Sequence, residues 1–139
     1  MFDLDRFIQA QEAIFYQVCL ELSQGRKHTH WSWFIFPQIR GLSTSGMSVK
    51  FAISGLDEAS YYIAHHLLGS RLRYCTELVC QVSGRSIQEI LGVTDALKFR
   101  SCMTLFAHAT NDNEVFVRAL EKYFDGEYDN LTMDIINMV

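Results

Sequence analysis

The stretch DALKFRSCMTLFAHA, residues 95–109, decides the fold. It carries apolar or small side chains on almost every face of a helix, a pattern typical of a helix packed on all sides. We therefore expect residues 95–109 to form the middle layer of a helical core. Charged residues in such a setting must form ion pairs or hydrogen bonds, or take part in a functional site; here they are Asp95, Lys98 and Arg100.

Amphipathic segments lie on both sides of this central helix, with apolar residues at helical spacing and glycine at their ends. The predicted helices cover about residues 3–25, 54–69, 70–84, 86–92, 94–109, 115–126 and 131–138. Ser54 with Asp57, and Ser86 with Glu89, have the spacing of capping boxes. Few segments alternate with a period of two. The sequence therefore predicts an all-α fold, a single compact helical domain over residues 1–139 with about five to seven helices and a long loop after the first.

Composition and charge limit the possible functions. With 139 residues and 49% hydrophobic side chains, the chain has enough apolar surface for one core. A net charge of −4 argues against a general nucleic-acid binder. No apolar run approaches the roughly 18 residues of a membrane span, and the start has no signal-peptide pattern. We expect a cytoplasmic protein whose four cysteines are reduced core thiols, because none has CxxC spacing.

The segment GRKHTHWSWFIFPQIRGLSTSGMSVKFAISG, residues 25–55, does not fit the helical pattern. It contains both tryptophans, the only proline and no acidic residue. A short helix or strand around residues 31–36 is expected to end before Pro37, because proline disfavours helical geometry in the preceding residue. Long connections of this kind are uncommon and often functional. We expect a site here.

The same segment, extended to Ala59, carries a resemblance to a known family. Together with LGSRL (68–72), EILGVTDALKFRSCMTLFAHA (89–109) and YFDGEYD (123–129), it resembles the bacterial family catalogued as domain of unknown function 1810. Some members carry the label calpastatin, which no pattern in this sequence supports. The resemblance implies a small all-helical fold and supplies no activity. In general layout the family also looks distantly similar to the ADP-ribose and riboflavin-intermediate N-glycosidases.

The basic and aromatic residues of the loop are candidate ligand-binding groups. Arg26, Lys27 and Arg40 suit phosphate, and the flat faces of Trp31 and Trp33 suit a nucleobase. The alternative is that Arg26 and Lys27 complement the carboxyl end of the first helix and that the aromatics fill the core. The first interpretation predicts a site for a phosphate-bearing nucleotide or sugar nucleotide, similar to ADP-ribose.

Polar residues of the central helix extend this candidate set. Lys98, Arg100, Ser101 and Thr104 are predicted to face the basic loop and to contact the same ligand. The alternative for Lys98 is an ion pair with Asp95, one turn away, where a carboxylate in the first turn also favours the helix dipole.

Three residues are candidate catalytic groups if the protein is an enzyme, which the sequence leaves open. Glu58 or Asp95 would stabilise positive charge in N-glycosidic hydrolysis, and His30 would act as a base near neutral pH. No cofactor is predicted. No metal site is predicted either, because adjacent helical side chains such as His65 and His66 diverge by about 100°.

A second functional class remains open. The acid-free basic loop contrasts with the acidic residues after Asn111, and the two regions could meet head to tail between copies. The alternative function is therefore a non-catalytic interaction module or homo-oligomer.

Overall fold

Ten helices make up the fold in the computed structural model, which describes residues 1–138. They are α1 (Asp5–Glu12), α2 (Phe15–Ser23), α3 (Ser32–Ile35), α4 (Gly46–Lys50), α5 (Leu56–Ala64), α6 (His66–Gln81), α7 (Ile87–Leu91), α8 (Val93–Ala109), α9 (Glu114–Phe124) and α10 (Asn130–Asn137). The described residues contain no strand, only one isolated parallel bridge between Ile39 and Ile53. The all-α prediction is confirmed.

Helix α8 lies at the centre of the core. It contacts α3, α5, α7, α9 and α10, and every residue from 101 to 107 is buried. Helix α6 forms a second layer against α1, α2, α3, α5 and α9. The prediction of a central core helix is confirmed for residues 101–107, where apolar and small side chains leave no side that favours water. In the first turns of α8 the helix is only partly covered, and Leu97 is 63% exposed.

The predicted number of five to seven helices is wrong, and so is the single long loop. The first predicted helix is two helices, α1 and α2, which separate at Ala13 and Ile14. Gln11 on α1 and Val18 on α2 are both buried and are seven residues apart. The buried residues therefore keep helical spacing across the break, and the sequence pattern gives no sign of it. The loop itself contains α3, which ends before Pro37 as expected, and α4.

Gly69 does not end a helix, although the sequence predicts that it does. It lies in the first turn of α6, and a Cβ atom built on it would be 2.1 Å from the carbonyl oxygen of Ile63 in α5. The glycine therefore permits the close approach of two consecutive helices. The boundary between them is His65, whose Nδ1 accepts hydrogen bonds from the backbone N–H groups of Leu67 (3.1 Å) and Leu68 (3.3 Å).

One of the two predicted capping boxes is present. Ser86 Oγ accepts from the Glu89 N–H at 3.1 Å and Glu89 Oε1 accepts from the Ser86 N–H at 2.8 Å, which starts α7. At α5 no side chain caps the helix, and the Ser54 N–H donates to Glu58 instead. Gly92 ends α7 and directly precedes α8, so the two helices meet at one residue.

Two expectations from composition concern membrane-spanning helices and the cysteines. Among residues 1–138, none of the helices combines the length and the apolar character that a membrane span requires. Of the four cysteines, Cys75 and Cys102 are buried in the core as expected, whereas Cys19 and Cys80 are half-buried at its edge.

Candidate functional site

The loop after α2 is held in place by one buried carboxylate, that of Glu21. Its Oε1 accepts from the His28 N–H (2.8 Å), the Thr29 N–H (3.1 Å) and the Trp31 indole N–H (3.0 Å). Its Oε2 accepts from the Thr29 hydroxyl (2.7 Å) and the Gln17 amide (2.9 Å). Burial alone would raise the pKa of Glu21, but these hydrogen bonds outweigh it and lower the pKa to about 2. Glu21 thus fixes the loop that carries the basic and aromatic residues.

This loop and the start of α8 enclose a cleft of about 320 Å³, which we call the α8 cleft. Its lining residues are Lys27, His30, Trp31, Ser32, Trp33, Leu91, Gly92, Val93, Thr94, Asp95 and Lys98. The predicted candidates that it brings together are Lys27, His30, Trp31, Trp33, Asp95 and Lys98.

Two lysines and one carboxylate form the charged part of the α8 cleft. Lys27 Nζ lies 2.8 Å from Asp95 Oδ2, and Lys98 Nζ lies 3.5 Å from Asp95 Oδ1. Burial raises the pKa of Asp95, but the hydrogen bond and charge of Lys27, with smaller contributions from the neighbouring Ser32 hydroxyl and from Lys98, outweigh it, and the pKa lies below its ordinary value. Asp95 is therefore ionised at neutral pH, and the three charges sum to one net positive charge.

The first turn of α8 adds uncharged donors to the cleft. Gly92 provides no side-chain cap, and the N–H groups of Val93, Thr94 and Asp95 make no hydrogen bond with the described residues. Ser32 Oγ is buried, lines the cleft and has no well-oriented hydrogen bond to any described residue, although it is a polar neighbour of the Asp95 carboxylate. Free N–H groups at a helix N-terminus form a binding place for anions.

The aromatic candidates divide into packing groups and one accessible face. Trp31 is only 2% exposed, and Phe34 and Phe36 are also buried, so these rings fill the core as the alternative interpretation predicts. Trp33 is half-buried, with Lys98 Nζ 5.0 Å from its ring centroid. Trp33 is therefore the indole whose face a ligand in the cleft can reach.

Arg40 and Glu58 lie in a different cleft, of about 420 Å³, which we call the α5 cleft. Glu58 is 3% exposed, accepts from the Ser54 N–H at 2.7 Å and pairs with Arg6 at 3.0 Å. Arg6 also donates to the Ala52 carbonyl at 2.8 Å. Glu58 is thus engaged in holding the chain before α5 against α1. The two predicted carboxylates, Glu58 and Asp95, do not share a site.

Arg100, Ser101 and Thr104 face the C-terminal segment instead of the basic loop, contrary to the prediction. The Arg100 guanidinium donates to the Glu127 carbonyl at 3.1 Å, and the Ser101 hydroxyl donates to the Asp129 carboxylate at 3.2 Å. Thr104 Oγ1 accepts from the Asp129 N–H at 2.9 Å. These polar groups fall on the face of α8 that packs against the start of α10, so they anchor that helix.

Arg26 lines neither cleft, and its side chain is exposed. Three contributors to the α8 cleft were missed by the sequence reasoning: Ser32, the free amides after Gly92, and the supporting carboxylate of Glu21. Gly92 was interpreted only as a helix stop. An acidic residue inside the apolar stripe of α2 was the available signal for Glu21.

Comparison with known proteins identifies a family and a similar crystal structure. The model of a family described as "Protein of unknown function (DUF1810)" matches residues 1–136. The crystal structure of a conserved hypothetical protein from Mycobacterium tuberculosis is similar, with a TM-score of 0.98, 51% sequence identity and 99% of each chain covered. No curated protein matches.

Proposed function

This chain belongs to the DUF1810 family of proteins of unknown function, and we propose that it binds a small phosphate-bearing ligand of the nucleotide class in the α8 cleft. The observation that carries the proposal is Ser32, whose buried hydroxyl lacks a well-oriented partner beside the free amides of α8. Buried polar groups are almost always hydrogen-bonded, and an exception is expected where a ligand supplies the missing partner.

The phosphate would lie at the first turn of α8. There it accepts from the backbone N–H groups of Val93 and Thr94, near the positive end of the helix dipole. Lys98 lies in the following turn of α8, lines the same cleft and supplies charge. The repulsion from Asp95 is offset by its two lysine partners, which leave the group with a net positive charge.

A flat ring attached to the phosphate would stack on the half-buried face of Trp33. Stacking of a base on an aromatic side chain contributes about 1–3 kcal/mol and tolerates different bases. The cleft of about 320 Å³ is at the lower end of the range for small-molecule sites. A mononucleotide or one end of a larger nucleotide such as ADP-ribose suits this size.

Binding is better supported than N-glycosidic cleavage. Asp95 and His30 both line the cleft and are the groups that would take part in hydrolysis. Asp95, however, is already engaged by two lysines, and a carboxylate held in this way is less available to a developing positive charge. Chromatography of the nucleotides after incubation with the protein would detect any released base.

Calorimetric titration with AMP, ADP, ADP-ribose and NAD, with adenosine as the ligand that lacks phosphate, tests the proposal. We expect at least one phosphate-bearing ligand to bind and to quench Trp33 fluorescence. Lys98→Gln should weaken its binding by about tenfold or more, the loss expected for one charged hydrogen bond. Lys50→Gln removes an exposed lysine outside the α8 cleft and is the matched control.

Two results would contradict the proposal. The first is the absence of heat or quenching with all four phosphate-bearing ligands. The second is binding that Arg40→Ala abolishes and Lys98→Gln leaves intact, because Arg40 belongs to the α5 cleft.

Ser32→Ala provides a sharper test of the same site. Removing a buried hydroxyl that lacks a well-oriented partner should leave the melting temperature unchanged or raise it, since the desolvation cost of that group disappears. The same change should weaken ligand binding, because the ligand loses a hydrogen-bond donor. A stability loss together with unchanged affinity would assign Ser32 to packing alone.

A further inference from the structure

A further cleft, of about 570 Å³, adjoins the α5 cleft, and we call it the α10 cleft. Most of its wall is apolar, and the side chains that provide this wall are Phe2, Ile39, Leu56, Ile135 and Ile136. The α5 and α10 clefts share Phe2 and Ser54, so they meet at these residues and form one groove. This groove is separate from the proposed phosphate site, because no residue that lines the α8 cleft lines either of its parts.

The chain around Arg40 joins the two parts of the groove. Ile39 is 3% exposed and lines the α10 cleft, whereas the next residue, Arg40, lines the α5 cleft. The Arg40 N–H donates to the Ile53 carbonyl at 2.7 Å, which holds this segment in place. A Cβ atom built on Gly41 would lie 3.2 Å from Ile135 Cδ1, so α10 packs directly on the same segment. The position of Arg40 relative to the apolar wall is therefore fixed by the backbone.

The α5 cleft carries unpaired positive charge. Arg40 and Lys50 line it, both are exposed, and neither forms an ion pair with any residue that the structure describes. The charge of Arg6 is matched by Glu58, 3.0 Å away. The exposed carboxylate of Asp3 is the remaining acidic group of this cleft. These five side chains therefore sum to one net positive charge.

The α10 cleft offers apolar surface instead. Its one charged side chain is Asp57, which is exposed in the first turn of α5, where a carboxylate favours the helix dipole. Phe2, Leu56, Ile135 and Ile136 are only half-buried, so part of each apolar side chain faces solvent. Covering this surface with an apolar group is favourable, because it removes the surface from water.

We propose that the groove binds a small amphiphilic carboxylate of the fatty-acid class, with its carboxylate at Arg40 and Lys50 and its alkyl chain in the α10 cleft. The arginine fork holds a carboxylate with two parallel hydrogen bonds, and the lysine adds a second positive charge. Both clefts lie within the range of about 300–1,000 Å³ that is typical of small-molecule sites. Positive charge at one end and apolar surface at the other select an occupant that has both an anionic group and an apolar chain.

Calorimetric titration of the full chain with hexanoate, octanoate and decanoate, each below its micelle concentration, tests this inference. We expect one saturable site whose affinity rises by up to about fourfold for each CH₂ group added, the gain expected for full burial of that group. Octanol, which has the same chain as octanoate but no charge, should bind about tenfold more weakly or not at all.

Variants locate the two ends of the ligand. Arg40→Gln and Lys50→Gln should each weaken octanoate binding, by about tenfold for the arginine. Arg26→Gln removes an exposed arginine that lines none of the three clefts, and it is the matched control. Ile136→Ala should reduce the gain in affinity per CH₂ group, and Phe2→Ala serves the same purpose if α10 does not tolerate the first change.

Four results would overturn the inference. They are the absence of binding by all three carboxylates, equal binding of octanol and octanoate, equal effects of Arg40→Gln and Arg26→Gln, and a chain-length dependence that neither apolar variant alters. Binding to phosphatidylglycerol vesicles without binding of the soluble carboxylates would indicate a membrane surface and would also contradict it. Failure here is distinct from failure of the phosphate site, because Lys98→Gln should leave octanoate binding unchanged.

Discussion

Glu21 is a carboxylate in the interior with five hydrogen-bond donors directed at it from four residues. In Glu21→Gln one end of the side chain becomes an NH₂ group that faces donors whichever way the amide is turned. We expect a loss of about 2–4 kcal/mol in the free energy of unfolding, measured by urea denaturation. Glu77→Gln, which breaks the half-exposed pair with Arg118, should cost no more than about 1 kcal/mol.

The pH dependence of that loss follows from the lowered pKa of Glu21. A carboxyl group whose pKa is lower in the folded state stabilises the fold above its unfolded pKa of about 4.3, and the contribution is lost as pH falls towards 2. The difference in stability between the unaltered protein and Glu21→Gln should therefore be full at pH 6 and shrink steadily below about pH 4.5. A difference that stays constant from pH 6 to pH 2.5 would mean that the carboxylate charge contributes nothing.

Some residues of the α8 cleft could be predicted from the sequence and others could not. Lys27 and Trp33 could be predicted because basic and aromatic residues stand out in an irregular segment, and Lys98 because a charge stands out in an apolar helix; all three line the α8 cleft. Ser32 could not be found in this way. Its significance depends on the absence of a well-oriented hydrogen-bond partner, which is a property of the packed structure and not of the residue type.

At the scale of the helices, the junction of α5 and α6 depends on Gly69. In Gly69→Ala the new methyl group would lie 2.1 Å from the Ile63 carbonyl oxygen, so one helix end must move. We expect a loss of about 1–3 kcal/mol in the free energy of unfolding, even though alanine has the higher helix propensity by about 1 kcal/mol.

Gly46→Ala is the control for this change. Gly46 is also in the first turn of a helix, and a Cβ atom built on it meets nothing within 4 Å. Thermal denaturation should show this variant as stable as the unaltered protein or slightly more stable. Equal effects of the two substitutions would remove the steric explanation for Gly69.

Helix boundaries were predicted well where a local signal defines them, as in the capping box of Ser86 and Glu89. They were missed where the boundary depends on contacts between helices. The short helix α4 has five residues, too few for a periodic pattern, and it was not predicted, whereas the end of α3 was predicted from Pro37. The break between α1 and α2 leaves the buried face unchanged, so it too leaves no trace in the hydrophobic spacing.

For the whole molecule, the distribution of candidate residues over separate clefts follows from helix packing. Glu58 and Asp95 are both carboxylates near the start of a helix, and nothing in their spacing distinguishes one shared site from two. In the folded chain Glu58 pairs with Arg6 of α1 and Asp95 pairs with Lys27 of the loop after α2, so the two carboxylates line separate clefts. The resemblance to the DUF1810 family is confirmed by a match over residues 1–136. It could be recognised from the sequence because its motifs lie in several helices, whereas a local pattern describes only one.

The central position of α8 also predicts how the whole molecule opens. The residues from 101 to 107 are buried on every side, so their amides should exchange with solvent only when the chain unfolds globally. Helix α4 has no buried residue and should open locally at a much lower free energy. Native-state hydrogen exchange in increasing urea measures both, and the amides of residues 101–107 should follow the slope of global unfolding. Exchange at residues 101–107 that is faster than in α6 or α9 would show that the stable centre of the fold lies elsewhere.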